Sequence, residues 1–206
     1  MLLKIHPQNP SERQMKMAVD CLADGGIIVY PTDTVYGIAC DIYKPKALER
    51  IARLKNINPE KANFSLICYD LSTLSEYTKP IPNQIYKLMR KTLPGPFTYI
   101  LEANNNVPKI FHSKKRTVGI RVPDNNIARE LVLMLGNPMA STSIHDEDEI
   151  IEYTTDPELI HDKFQKLVDI VIDGGYGDNE ASTVINCTSG DPLLVRQGKG
   201  IIEDLL

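Results

Sequence analysis

The 206-residue sequence predicts a single α/β domain spanning 1–206, with a twisted, mixed sheet. Three observations carry that expectation. Short β-rich runs alternate with helical patterns over the whole length, and no Pro/Gly/Ser-rich linker, repeat or low-complexity segment interrupts them. Hydrophobic residues make up 42% and charged residues 24%, ordinary globular usage that argues against disorder.

The elements can be justified in order. Ser11 and Gln14 have capping-box spacing, Met15, Ala18, Val19 and Leu22 share one helical face, and Gly25-Gly26 ends the helix. Ile27 to Tyr30 reads as a short buried strand stopped by Pro31, and Ile38-Ala39-Cys40 as a second apolar run. A helix from about Lys46 to Lys55 turns Leu48, Ile51, Ala52 and Leu54 inward. Further helices are expected at 83–92 and 126–135. Strands are expected at 64–69, 97–102, 117–122, 138–141, 168–172, 182–187 and 193–196.

Composition narrows the function classes. A formal net charge of −4 argues against non-specific coating of nucleic acid, although a local basic pocket stays open. Cys21, Cys40, Cys68 and Cys187 form no C-x-x-C pair, and Cys40 and Cys68 lie in apolar runs, so a core role is expected and no metal site. No apolar run approaches the roughly 20 residues that cross a bilayer, and the N-terminus lacks a signal-peptide pattern, so no membrane partner and a cytoplasmic location are expected. Walker A, G-x-G-x-x-G and G-x-S-x-G patterns are absent. Asp173-Gly174-Gly175 with Gly177 reads as a flexible turn, and His145-Asp146-Glu147-Asp148-Glu149 as a solvated loop.

Four segments could carry chemistry. Pro31-Thr32-Asp33-Thr34-Val35-Tyr36-Gly37 can hydrogen-bond a small polar ligand, or cap its own backbone. Lys55 and Lys61 flank a Pro-containing turn after a helix, which suits either the helix dipole or a phosphate chain. Arg121 sits in an apolar strand whose alternation puts Val118, Ile120 and Val122 on one side and Thr117, Gly119 and Arg121 on the other. Its guanidinium must meet a protein carboxylate or a ligand anion. Ser141-Thr142-Ser143 offers hydroxyls and free backbone N–H groups to a phosphate, or is a plain strand exit.

Together these segments resemble the YrdC/YciO family, the fold of threonylcarbamoyl-AMP synthases, from about residue 20 to 200. The resemblance rests on P-T-D-T-V-Y-G at 31–37, L-P-G-P-F-T at 93–98, V-G-I-R-V-P at 118–123, S-T-S at 141–143, S-T-V-I-N at 182–186 and V-R-Q-G at 195–198. It implies an open, twisted sheet with helices around a large basic cavity. It also implies adenylation chemistry in which threonine, bicarbonate and ATP, with Mg²⁺ on the phosphates, give threonylcarbamoyl-AMP and pyrophosphate for tRNA modification. Double-stranded RNA or tRNA is an implied partner.

By the same resemblance, Thr34, Arg121, Ser141 and Ser182 are expected to bind substrate, with Arg121 clamping the threonine carboxylate. Lys55, Lys61, Thr117, Ser143 and Arg196 are expected to bind nucleotide, and Lys55, Arg121 and Ser143 to serve catalysis. Two positions depart from the enzymes' motifs: K-x-R reads Lys55-Asn56-Ile57, and S-x-N reads Ser143-Ile144-His145. Ile57 cannot contact a phosphate electrostatically, and His145 has a different donor set from asparagine. Nor does the sequence match the second, C-terminal domain of the longer branch. These features resemble the YciO-type paralogue. The competing functions are therefore a synthase-like enzyme, a binding module for RNA or a nucleotide, and a relic that binds another adenylated metabolite.

Overall fold

The structure, a computed structural model, describes residues 1–57, 64–108, 116–144 and 152–201. Ten strands form one mixed sheet in the order β1-β8-β2-β3-β7-β4-β6-β5-β9-β10. The strands are β1 (Leu2–Lys4), β2 (Ile28–Tyr30), β3 (Gly37–Asp41), β4 (Ser65–Ile67), β5 (Phe97–Glu102), β6 (Thr117–Arg121), β7 (Met139–Ser143), β8 (Ile170–Asp173), β9 (Thr183–Asn186) and β10 (Leu193–Arg196). Among the described residues the edge strands are β1, paired with β8, and β10, paired with β9.

Helices cover both faces, as strands that are apolar on both sides require. On one face α1 (Glu12–Ala23) and α4 (Asn126–Leu135) bury Met15, Ala18, Leu22, Ile127 and Leu131 against Ile28, Tyr30, Ile170 and Ile172. On the other, α2 (Pro45–Leu54), α3 (Asn83–Thr92) and α6 (Pro157–Phe164) bury Leu48, Ile51, Ile85, Met89, Ile160 and Phe164 against Val29, Cys40, Leu66, Ile120 and Val171. Cys40 and Cys68 are fully buried, as expected of small hydrophobes. Among the described residues no helix is long and apolar enough to cross a membrane, and no group of His, Cys, Asp or Glu could hold a metal ion.

Helix ends show the local chemistry. α1 and α2 both terminate in paired 6→1 and 5→2 backbone bonds, Gly26 N to Cys21 O with Gly25 N to Leu22 O, and Ile57 N to Ala52 O with Asn56 N to Arg53 O. The left-handed residue is Gly25 in the first, at φ +86°, and Asn56 in the second, at φ +50°. Asn125 caps α4 through its side chain, accepting from Ala128 N at 3.0 Å. The Ser11 capping box does not form. Ser11 makes no side-chain cap bond, and Gln14 instead donates to Lys4 O at 2.7 Å, tying α1 to β1.

Three further expectations change. β1, α6 and the short helix α5 (Glu152–Thr155) were not anticipated, because β1 has three residues and the eight-residue α6 buries only Pro157, Ile160 and Phe164, too few to mark a helical period. The strand expected at 138–141 runs on through the hydroxyls to Ser143. Ser141 pairs with both Ala39 of β3 and Ser65 of β4, while Thr142 and Ser143 pair with β3 alone, so this backbone belongs to the sheet ladder at least along its β3 side. The turn after β8 is closely packed. A Cβ at Gly174 would lie 2.6 Å from Pro31, one at Gly177 would lie 2.6 Å from the Tyr36 ring, and Tyr36 Oη donates to Gly175 O at 2.6 Å. The loop at 145–149 lies outside the described residues.

Candidate functional site

The strand ends of β2, β4, β5, β6, β7, β9 and β10, with the loop at 31–36, enclose a cleft of about 370 Å³. Its lining is rich in hydroxyls, from Thr32, Ser65, Thr98, Ser141 and Ser143 to Ser182. Arg121 and Arg196 are the charged residues lining it, among the described residues.

Arg121 organises one corner. Strand alternation acts largely as the sequence implied: Val118, Ile120 and Val122 are buried in the core, while Thr117, Gly119 and Arg121 line the cleft, which Val118 also touches. The 31–37 loop supplies its partners. Thr32 Oγ1 donates to Val35 O at 2.8 Å and accepts from Thr34 N at 3.0 Å, so this residue does cap its own loop. The same loop presents three acceptors to one guanidinium nitrogen. Arg121 Nη2 donates to Asp33 Oδ1 at 2.5 Å, Thr34 Oγ1 at 2.6 Å and Thr32 Oγ1 at 3.1 Å.

The pair is nearly dry. The side chains of Arg121 and Asp33 are 11% and 9% exposed, and Asp33 Oδ2 is also engaged, by Asp124 N at 3.1 Å. Arg121 thus has a protein carboxylate, which satisfies one of the two partners open to it from sequence. Yet its Nε is buried with no acceptor, and no acceptor among the described residues meets Nη1. A buried donor left unmade costs about 1–3 kcal/mol, more for a charged group.

The floor and far wall are built from hydroxyls already paired with each other. Tyr30 Oη donates to Ser141 Oγ at 2.8 Å, and Ser141 Oγ donates to Ile38 O at 3.2 Å. Burial pushes the Tyr30 phenol up to about 12, so it stays a neutral donor. A Cβ at Gly37 would lie 2.8 Å from the Tyr30 ring, and one at Gly119 would lie 2.7 Å from Ser65 Oγ. These glycines let the strands carry polar groups into the cleft. Thr98 and Ser182 share a hydrogen bond of 2.9 Å. Arg196 is held at the rim by Ser182 O, 2.8 Å from Nη2. Its pKa is lowered, first by burial and then by the charge of Arg121. Two guanidiniums thus face one cleft, where an anion would relieve their repulsion.

The expected site residues divide. Arg121, Ser141, Ser143, Thr117, Ser182 and Arg196 line the one cleft. Thr34 is fully buried beneath Arg121, and Thr32 takes the lining position. Lys55 is the C-cap of α2, where its Nζ donates to Ile144 O at 3.4 Å, and it is not among the lining residues. Lys61 and His145 lie outside the described residues. Sequence reasoning missed Asp33 as the partner of Arg121, Tyr30 behind Ser141, and Thr98. Asp33 and Thr98 stood inside quoted motifs. Tyr30 carried no polar signal, because it ends an apolar run.

The fold and the site define an α/β protein with a hydroxyl-lined cleft and two guanidiniums at the strand ends of an open mixed sheet. The chain belongs to the Sua5–YciO–YrdC family, whose model, described as telomere recombination, matches residues 20–198. It is 42% identical to the uncharacterized protein YciO of Escherichia coli K12 over 98% of this chain and 97% of that one. The crystal structure of E. coli YciO superposes with a TM-score of 0.92, covering 100% of this chain and 99% of that one. A threonylcarbamoyl-AMP synthase of Coxiella burnetii is 30% identical over 82% of this chain and 89% of its own length. Pyrococcus abyssi Sua5, solved in complex with L-threonine, superposes with a TM-score of 0.90 at 25% identity, covering 100% of this chain and 59% of that one.

Proposed function

We propose that the cleft binds L-threonine and ATP and that the protein forms threonylcarbamoyl-AMP slowly, as a synthase-like member of its family. The observation that carries this reading is Arg121, held from behind through Nη2 while Nε and Nη1 lack protein acceptors. Both bidentate edges of a guanidinium include Nη2, which the loop occupies, so Arg121 offers a ligand carboxylate its charge and the directed donors of Nη1. The threonine complex of P. abyssi Sua5 and the synthase from C. burnetii supply the substrate class.

In this reading the work is positioning and charge neutralisation. Threonine and bicarbonate condense to N-carboxythreonine with loss of water. A carbamate oxygen then forms a bond to the α-phosphorus of ATP as the bond to pyrophosphate breaks. Arg121 holds the carboxylate. Arg196 balances phosphate charge, together with Lys55 and Lys61 as the family resemblance implies. Thr117, Ser141, Ser143 and Ser182 give hydroxyl contacts. The described residues fit Mg²⁺ only as a counter-ion carried in on the triphosphate, since no group of carboxylates, histidines or cysteines among them could hold it.

One observation favours a second reading, binding of a nucleotide, double-stranded RNA or tRNA without efficient chemistry. Where the enzymes' K-x-R motif ends in arginine, this chain has the exposed aliphatic side chain of Ile57, which has no donor for a phosphate. An assay with radiolabelled bicarbonate, threonine and ATP separates the two. Slow, threonine-dependent release of pyrophosphate with labelled threonylcarbamoyl-AMP supports the synthase reading. Nucleotide or RNA binding with no labelled product supports the second.

A further inference from the structure

Behind the Arg121 corner, on its outer side, a surface hollow of about 520 Å³ is lined by Thr32, Asp33, Tyr176, Asp178, Asn179 and Lys199, among others. Lys199 lies across it. Its Nζ donates to Asp33 O at 2.8 Å and meets Asp178 Oδ2 at 2.7 Å. Neither partner is loose. Asp178 Oδ1 accepts from Asn179 N at 2.7 Å and Glu180 N at 3.0 Å, which leaves Oδ2 for the lysine. Asp178 N in turn donates to Thr34 O at 3.2 Å.

The segment bearing Lys199 is equally constrained. Lys199 N donates to Ala181 O at 2.9 Å, and Gly198 N to Thr183 Oγ1 at 2.9 Å. A Cβ at Gly198 would stand 2.2 Å from Ala181 O, so the close approach depends on glycine. The lysine therefore joins two walls of the cleft. One is the 32–34 loop that holds Arg121. The other is the stretch 181–183, which holds Arg196 through Ser182 O. Arg121, paired with Asp33 of the first wall, and Arg196 line the same cleft.

We propose that Lys199 and Asp178 form a latch that positions Arg121, by pinning the 32–34 loop to the wall bearing Arg196. Lys199 is a positioning residue in this account and touches no ligand. The ligand consequence rests on the threonine and ATP reading above; the positioning itself does not. Because the pair is partly exposed, at 41% and 31% of side-chain area, its effect on affinity is modest, about three- to fivefold.

The test uses the full chain and four forms: wild type, Lys199→Met, Asp178→Asn and Lys199→Arg. Hydrogen exchange at Thr34 N and Arg121 Nε is read by NMR, with amides of β2 and β8 as internal controls and thermal unfolding as a check on folding. L-threonine and ATP are then titrated separately by calorimetry. Faster exchange at Thr34 and Arg121 in the Met and Asn variants, with β2 and β8 unchanged and Arg restoring protection, is the expected result. Threonine affinity should fall about three- to fivefold in the same two variants. Unaltered exchange at both positions would overturn the latch, whatever the ligand data show. Altered exchange in a protein that binds neither ligand would keep the latch and remove the substrate reading. A general loss of protection reaching β2 and β8 would mean that Lys199 merely stabilises the fold, which also overturns the proposal.

Discussion

Two ends of the expected site are built on different principles. At the Arg121 corner, a strand presents a guanidinium to a loop whose three acceptors all converge on one nitrogen, leaving donors over. At the end of α2, Lys55, Asn56 and Ile57 serve helix termination. Lys55 is the C-cap, Asn56 takes the left-handed turn, and Ile57 closes the 6→1 bond. The first region is organised around an unfinished interaction, and the second around a finished one. That contrast is why a ligand carboxylate can be argued from this chain's own residues, whereas phosphate contacts near α2 rest on the family resemblance.

The largest expected effect lies at the first region. Arg121→Ala leaves Asp33 nearly dry and unpaired, and should lower stability by about 3–5 kcal/mol in urea unfolding. Lys55→Ala removes a partly exposed surface cation whose contacts include a long one to Ile144 O, and should cost less than about 1 kcal/mol. Equal losses would dissolve the distinction between the two ends.

Restoring the motif residues sharpens the comparison. Ile57→Arg with His145→Asn should raise the rate of threonylcarbamoyl-AMP formation by about 10- to 100-fold, the equivalent of one charge-assisted contact. Position 145 lies outside the described residues, so the two single variants are measured beside the pair. No gain in a folded double variant would favour the binding-only reading. A smaller effect is expected at Gly37. A Cβ there would press on the locked Tyr30 ring at 2.8 Å and on Ser141 Oγ at 3.1 Å. Gly37→Ala should destabilise by about 1–3 kcal/mol in the same unfolding assay, and an unchanged midpoint would show that Tyr30 can yield.

Much of this was legible in the sequence where a pattern is local. Alternation in 117–122 placed Arg121 opposite Val118, Ile120 and Val122, and the structure has it so. The helical periods at Met15–Leu22 and Ile127–Leu131 marked faces that are buried. What stayed hidden depends on pairing across the chain. That Asp33, rather than a ligand alone, would meet Arg121 follows from residues 88 apart in sequence. Ser141–Ser143 read as a phosphate-facing run or a strand exit, because hydroxyls do not look like a strand until the neighbouring strands are seen. The turn after β8 read as loose, since its glycines answer to Tyr36 and Pro31, far away in sequence. Lys199 was one more surface lysine until its partners were in place.

The central claim is that Arg121 recognises a ligand carboxylate by a donor that the 32–34 loop holds in place rather than by charge alone. The most direct test is calorimetric titration of L-threonine into wild type, Arg121→Lys and Arg121→Ala, with unfolding curves confirming that each is folded. A point charge on a mobile stem cannot replace a guanidinium that Asp33 and Thr34 hold in place, so Arg121→Lys should bind threonine almost as poorly as Arg121→Ala. Wild-type affinity in Arg121→Lys would contradict the claim and leave Arg121 as a source of charge, or a structural partner of Asp33.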